Sequence, residues 1–214
     1  MANSTFAQVQ QRANDLIGET STSTASAVLQ RHINSVIQDI LGDYKFSWNL
    51  ESGSITLSGG TAALPTDYYP GWGIDDARII GTGNPDQVFQ CINVADRDSY
   101  DTSTPVYWIT YSGPITDSYI FNSNIQTGTV TIFYHYNVAD MVNPTDICVV
   151  IDPELVAYGA AAKNWISDER NTQLQQLYEQ KYEQGIKALF IADLMNGPDY
   201  TLDGLGSSQV NWVQ

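Results

Sequence analysis

Reactive side chains are few in this 214-residue chain, and they are scattered. Its two histidines, His32 and His135, lie far apart, and no G-x-S-x-G turn offers either of them a nucleophilic serine. Cys91 and Cys148 are as isolated. With no CxxC and no Cys/His cluster, zinc has no ligand set, and the pair reads as two buried thiols, a single disulfide being the alternative. "ADRDSYD" brings Asp96, Asp98 and Asp101 together, as a calcium loop would. It lacks the central glycine and the closing glutamate, so a solvated turn or short capped helix is the plainer reading. "GTGNPD" holds one G-x-G without a third glycine or a following helix, which makes it a hairpin turn rather than a dinucleotide site. No G-x-x-x-x-G-K-[ST] phosphate loop occurs. Carboxylate pairs for glycoside hydrolysis have 24 acidic residues to draw on, yet none stands in a cleft-like context. The expectation is a protein with no catalytic constellation, no cofactor and no metal.

Charge narrows the partners. Twenty-four acidic residues face 9 basic ones, a net charge of -15, and there is no Lys/Arg run. Such a surface repels nucleic acid and anionic membranes, so DNA is expected near it only as something that slides past. Hydrophobic content of 43% with 15% charged residues describes a folded chain. The start, "MANSTFAQVQQR", has no apolar signal core and no long apolar run follows, which predicts a protein made in a cytosol and kept there or in something assembled there. Asn3-Ser4-Thr5 matches a glycosylation pattern that such a protein would not use.

The elements that must position these residues fall into three zones. In residues 4–44, Phe6, Val9, Ala13, Leu16 and Ile17 recur at helical spacing and Gly18 closes that helix. After the turn "ETSTSTAS", Val28, Leu29, Ile33, Val36, Ile37, Ile40 and Leu41 form a second stripe ended by Gly42, an αα-hairpin with His32 at its boundary. Residues 45–150 predict strands: "YKFSWNL" and "GSITLSG" around a Ser-Gly turn, "DARII" and "QVFQCINV" around "GTGNPD", then "PVYWITYSG", "SYIFNS" and "GTVTIFYHYN". The last alternates Val130, Ile132, Tyr134 and Tyr136 with Thr129, Thr131, Phe133 and His135. Aromatic and β-branched content predicts an antiparallel sheet with one covered face. From Asp152-Pro153-Glu154, a strong helix start, two helices follow. Leu155, Tyr158, Ala161, Ala162, Trp165 and Ile166 face inward in the first. Past a break at "SDERNT", Leu174, Leu177, Tyr178, Tyr182, Ile186, Leu189 and Phe190 do so in the second, which Asn196-Gly197-Pro198 stops.

Strands that do not alternate with helices predict an α+β protein. Its parts are a helical bundle from residues 1–44 and 151–196, an inserted antiparallel β-rich region over 45–150, and an extended tail over 197–214. That tail combines a flexible spacer, "DGLGSSQ", with Leu202, Leu205, Val210, Trp212 and Val213, apolar anchors that have no core of their own. A segment that orders on another chain, with a tryptophan at its centre, accounts for them.

The order of these stretches resembles the bacteriophage head-to-tail connector adaptor family, whose layout is similar to podovirus gatekeeper and tail tubular proteins. "STASAVLQRHINSVIQDILGDYKFSWNLESGSITLSGGTAALPTDYY" looks like that family's helix, aromatic strand, threonine strand and Leu-Pro-x-Asp turn, with Asn34, Trp48, Leu64, Pro65 and Asp67 in the matching places. "VYWITYSGPI", "GTVTIFYHYNVADM" and "IDPELVAYGAAAKNWISDERNTQLQQLYEQKYEQGIKAL" look like its later strands and closing helix pair, small residues around Gly159 to Ala162 and Tyr-Glu pairs at 178–179 and 182–183 included. The resemblance spans about residues 6–195. It implies a virion protein of the head-tail neck, a homo-oligomeric ring, typically a dodecamer, beneath the portal protein. The tail residues Leu202, Leu205, Val210, Trp212 and Val213 would dock on the portal. The β part would meet the next tail or neck protein (a stopper, nozzle or tail tube), and genomic DNA would pass the acidic lumen without specific binding. The alternative functions are a virion-carried cell-wall hydrolase or a carbohydrate-binding module using Tyr68, Tyr69 and Trp72.

Overall fold

The computed structural model describes residues 4–18, 27–79, 87–101, 103–113, 118–166 and 172–196. Helix α1 (Phe6–Ile17) begins with a reciprocal cap: the Gln8 amide donates to the Thr5 hydroxyl and the Thr5 amide to the Gln8 side chain. It ends at Gly18, whose φ of 73° is left-handed and whose N–H donates to the Asn14 carbonyl. Helix α2 (Ala27–Asp43) follows; the turn "ETSTSTAS" lies outside the described residues. Helix α3 (Pro153–Ile166) opens as expected, the Glu154 amide donating to Asp152 Oδ1 at 3.0 Å. Helix α4 (Thr172–Asn196) starts at the last residue of the predicted break "SDERNT", whose other residues, 167–171, lie outside the described residues.

Helix α3 packs against α1, α2 and α4. Such a helix is covered on nearly every side, so its sequence is small and apolar rather than striped: Val156, Ala157, Ala160 and Ala161 are all fully buried. The shared core takes Phe6 and Val9 from α1, Ile33, Val36 and Ile40 from α2, Leu155 from α3, and Tyr178 and Ile186 from α4. Leu177 does not belong to it. It points outward, so the predicted inward stripe of α4 is wrong at that position.

The strands are β1 (Leu50–Ser58), β2 (Thr61–Ala63), β3 (Ile74–Ile79), β4 (Gln87–Val88), β5 (Gln90–Cys91), β6 (Val106–Tyr111), β7 (Tyr119–Ser123) and β8 (Thr127–His135). "YKFSWNL" is not a strand. Phe46 turns into the helical core, Ser47–Asn49 make a 3-10 turn, and β1 starts at Leu50. The predicted Ser-Gly turn is also absent, because β1 runs through Gly53 and reverses at Gly59-Gly60, where φ values of 61° and 77° need glycine.

All eight strands form one sheet in the order β4-β3-β8-β1-β2-β7-β6-β5. Its two ends come from one stretch of chain. Gln87 and Val88 pair antiparallel with β3, then Gln90 and Cys91 pair parallel with β6, with only Phe89 between. The Phe89 amide donates to Ala77 on one side and the Gln90 amide to Pro105 on the other. The sheet therefore curls until its ends meet, close to a barrel. It encloses a second core that includes Ile55, Leu57, Phe89, Tyr107, Phe121, Val130 and Ile132. The class is α+β, as expected. The sheet, however, is mixed and nearly closed where an antiparallel sheet with one covered face was expected, since the expectation took "QVFQCINV" as one hairpin arm when it serves two neighbours.

Candidate interaction surfaces

Where the strands leave and rejoin the helices, polar side chains fasten the two cores. The Asn34 amide brackets Met141, donating to its carbonyl at 3.1 Å and accepting from its amide at 3.0 Å. Gln38 donates to the Val138 carbonyl at 2.6 Å, and the Trp72 indole N–H to the Leu41 carbonyl at 2.8 Å. Asp193 on α4 accepts from the Ser47 amide and hydroxyl at 2.7 and 2.6 Å, holding the 3-10 turn. Next to it, Phe46 stacks on Trp48 at 4.9 Å between ring centroids and meets the edge of Phe190 at 6.2 Å.

His135 ends β8 at this junction. Its ring is buried, with Nε2 3.2 Å from Asp75 Oδ2 and Nδ1 lacking a hydrogen-bond partner. Lys45 pairs with the other Asp75 oxygen. Burial alone would raise the Asp75 carboxyl, but the hydrogen bonds and charges of His135 and Lys45 outweigh it, and the group is held below its ordinary 3.8. A folded value below the unfolded one adds stability above pH 3.8 that is lost as pH falls through the folded value. Asp75→Asn should therefore lower stability by about 1–3 kcal/mol at neutral pH. The gap to the parent should shrink below pH 3.8, as urea melts across the acid range would record.

The remaining sequence candidates find structural duties. His32 lies half-buried at the edge of α2, as expected, and burial, with Lys163 and Arg31 nearby, lowers its pKa. Cys148 is buried and Cys91 exposed, and both are free thiols; the reading of two buried thiols fails for Cys91, which sits on an end strand. Asp96 lies in a 3-10 helix capped by Asn93, Asp98 pairs with Arg97, and Asp101 accepts from the amide and hydroxyl of Ser103. No group of three His, Cys, Asp or Glu among the described residues is placed to hold a metal ion. Strands β3 and β4 flank "GTGNPD" as a hairpin would, though its turn lies outside the described residues. Tyr68 is buried against Tyr119 and Tyr134, and Trp72 is tied to α2, so neither is displayed as a glycan platform.

Two exposed surfaces stand out that sequence reasoning missed. The first is the outer side of α4. Ile191, Leu194 and Met195 are 55, 68 and 79% exposed, and Leu177, 43% exposed, lies on the same side near the start of the helix. Lys187 lies among them and exposed Glu183, four residues earlier, borders Leu194 on the same flank, while the Lys181 ammonium sits 4.8 Å over the Tyr158 ring. The signal was present as apolar residues on both faces of one helix. The second surface is the strap that links β8 to α3. It is fastened along α1, with the Phe6 amide donating to Asp146 and the Cys148 amide to Ser4. Its Val142, Ile147 and Ile151 are 74, 51 and 50% exposed, interspersed with Asp140, Asp146 and Asp152. No lysine or arginine occurs from residue 136 to 162. Backbone amides of Asn143 and Val142 hold the Asp146 carboxyl below its ordinary range, which keeps it charged.

The tail residues Leu202, Leu205, Val210, Trp212 and Val213 lie outside the described residues. No described helix is long and apolar enough to cross a membrane. A search of curated proteins finds no match to the chain. A family model described as SU10 adaptor protein matches residues 4–202.

Proposed function

The chain belongs to the SU10 adaptor protein family, and from that membership we propose that it is a structural component of a bacteriophage virion, a head-to-tail adaptor that joins capsid to tail. In this reading copies assemble into a ring, twelve by the usual form of such adaptors, beneath the portal protein. The helical parts, 1–44 and 151–196, form the wall as a bundle; the sheet region, 45–150, projects from it toward the next tail or neck protein. The tail, 197–214, extends to the portal and docks through Leu202, Leu205, Val210, Trp212 and Val213. A net charge of -15 suits a channel through which DNA passes without sticking.

The observation that supports this reading most is the family match across almost the whole chain. A structural role also fits the polar groups at the junction, which are spent on fastening one part of the molecule to another. The test is electron microscopy of native particles labelled with antibody to this chain. Label at the vertex between head and tail, at about one ring per particle, is the expected outcome. Label on fibres, or none on particles, would overturn the proposal.

A further inference from the structure

We infer that the helical part and the sheet part are two rigid bodies that swing on one another about a two-stranded neck, latched by Trp72 and Asp75. The inference concerns the single chain and stands apart from the ring reading. Every extensive contact of a helix is with another helix, and every extensive contact of a strand lies within the sheet part. The apolar cores are separate. One draws on the four helices and on Phe46, Met141, Cys148 and Val150 of the connecting segments, the other on the strands and on Leu64, Tyr68 and Phe89. Two parts of one chain that share no large apolar interface move relative to one another by default.

The neck follows from the pairing register. The chain enters the sheet on β1 at Leu50 and leaves it on β8 at His135, and these two residues stand directly opposite each other. Both crossings therefore lie side by side. Up to that point each connecting segment is held by its own part. On the helical side, Phe46 lies in the core, Ser47 is held by Asp193, and Val138 and Met141 by Gln38 and Asn34. On the sheet side, the Tyr69 amide donates to the His135 carbonyl and the Asn137 amide to the Asp67 carbonyl. The backbone thus passes from one body to the other at Asn49–Leu50 and Asn137–Val138. The rung beside these steps, from the Tyr136 amide to the Asn49 carbonyl, is long at 3.4 Å. A few residues at element ends that absorb a rotation are what a hinge requires.

Among the described residues, the polar side-chain ties that cross between the bodies lie on one flank of the neck. The Trp72 indole N–H donates to the Leu41 carbonyl near the end of α2, and Lys45 pairs with Asp75. His135 steadies this latch from the sheet side, its Nε2 lying 3.2 Å from the other Asp75 oxygen. Lys45 and Asp75 are both partly exposed, so water and salt compete for their pair. A latch of one hydrogen bond and one such ion pair opens without disturbing either core.

The test is pulsed electron paramagnetic resonance on the full-length chain carrying pairs of spin labels, in a Cys91→Ser background that removes the exposed native thiol. Gln184→Cys on α4 with Thr56→Cys on β1 spans the neck. Gln184→Cys with Gln11→Cys stays within the helices, and Thr56→Cys with Gln90→Cys within the sheet; all four positions are exposed. Hinge motions of whole parts take microseconds to milliseconds, and rapid freezing records their spread. The latch is removed by Trp72→Phe with Lys45→Met, which keeps an aromatic ring and an apolar stem and deletes the N–H and the charge. The distance distribution of the spanning pair is expected to broaden on latch removal, while both internal pairs keep the parent's width. A spanning distribution that latch removal leaves unchanged would overturn the hinge. Internal pairs that broaden as much as the spanning pair would overturn it too, since the parts would then not be rigid bodies.

Discussion

Gly159→Leu is expected to unfold the protein at temperatures where the parent is still native. A Cβ at this position would sit 2.8 Å from Val36 Cγ1 and 2.9 Å from the Tyr182 ring, distances that real Cβ atoms do not tolerate. Val36 is fully buried on α2, and Tyr182 packs against the same core from α4, so three helices would have to part. Overpacking a filled core costs about 1–3 kcal/mol, occasionally more, and the branched side chain lacks any free direction here, so about 3 kcal/mol or more is expected. For a chain of this size that is a fall of roughly 6–12 °C in melting temperature, readable by circular dichroism. Gly185→Ala is the internal control. Its Cβ would meet Leu155 Cδ1 at 2.7 Å, the end of a side chain that can rotate away, so its loss should be smaller. A Gly159→Leu protein that melts with the parent would mean that the three helices do not pack as described.

The second large effect concerns function rather than fold. Removal of residues 199–214 should leave the far-ultraviolet spectrum and melting temperature unchanged, because the described residues alone supply two well-filled cores. Binding to the portal protein should be lost. Trp212→Ala alone should weaken it by about 30-fold or more, the range of a tryptophan hot spot whose burial is lost. Titration calorimetry against purified portal would measure both. A truncated chain that binds normally would remove the tail from the interface.

How much of this was legible in the sequence depends on how local the cause is. The caps of α1 and α3 were legible because Gly18 and Asp152-Pro153 act within a turn of themselves. Strand β8 was legible because Val130, Ile132 and Tyr134 alternate into one core. "YKFSWNL" deceived because its aromatics have the composition of a strand, while Phe46 is claimed by a helical core that includes Phe190, far along the chain. The parallel pairing of Cys91 with Tyr107 was beyond local pattern altogether, since two-residue strands have no period to detect. The site expectations divide the same way. The apolar tail showed in composition but falls outside the described residues, whereas the exposed side of α4 could be recognised only after Tyr178 and Ile186 had shown which side was buried.

The closure of the sheet at Phe89 has a consequence for crowding. An open β edge is an indiscriminate adhesive, because backbone amides and carbonyls pair with any other edge whatever its side chains. Many copies concentrated at one place would then polymerise without register or stopping point. Here residues 87–91 occupy both ends of the sheet at once, each with its own neighbour's backbone. Where the two ends meet, backbone pairing is satisfied within the chain, so any recognition at that place would fall to side chains, which can be matched in shape and sign, and which can therefore count.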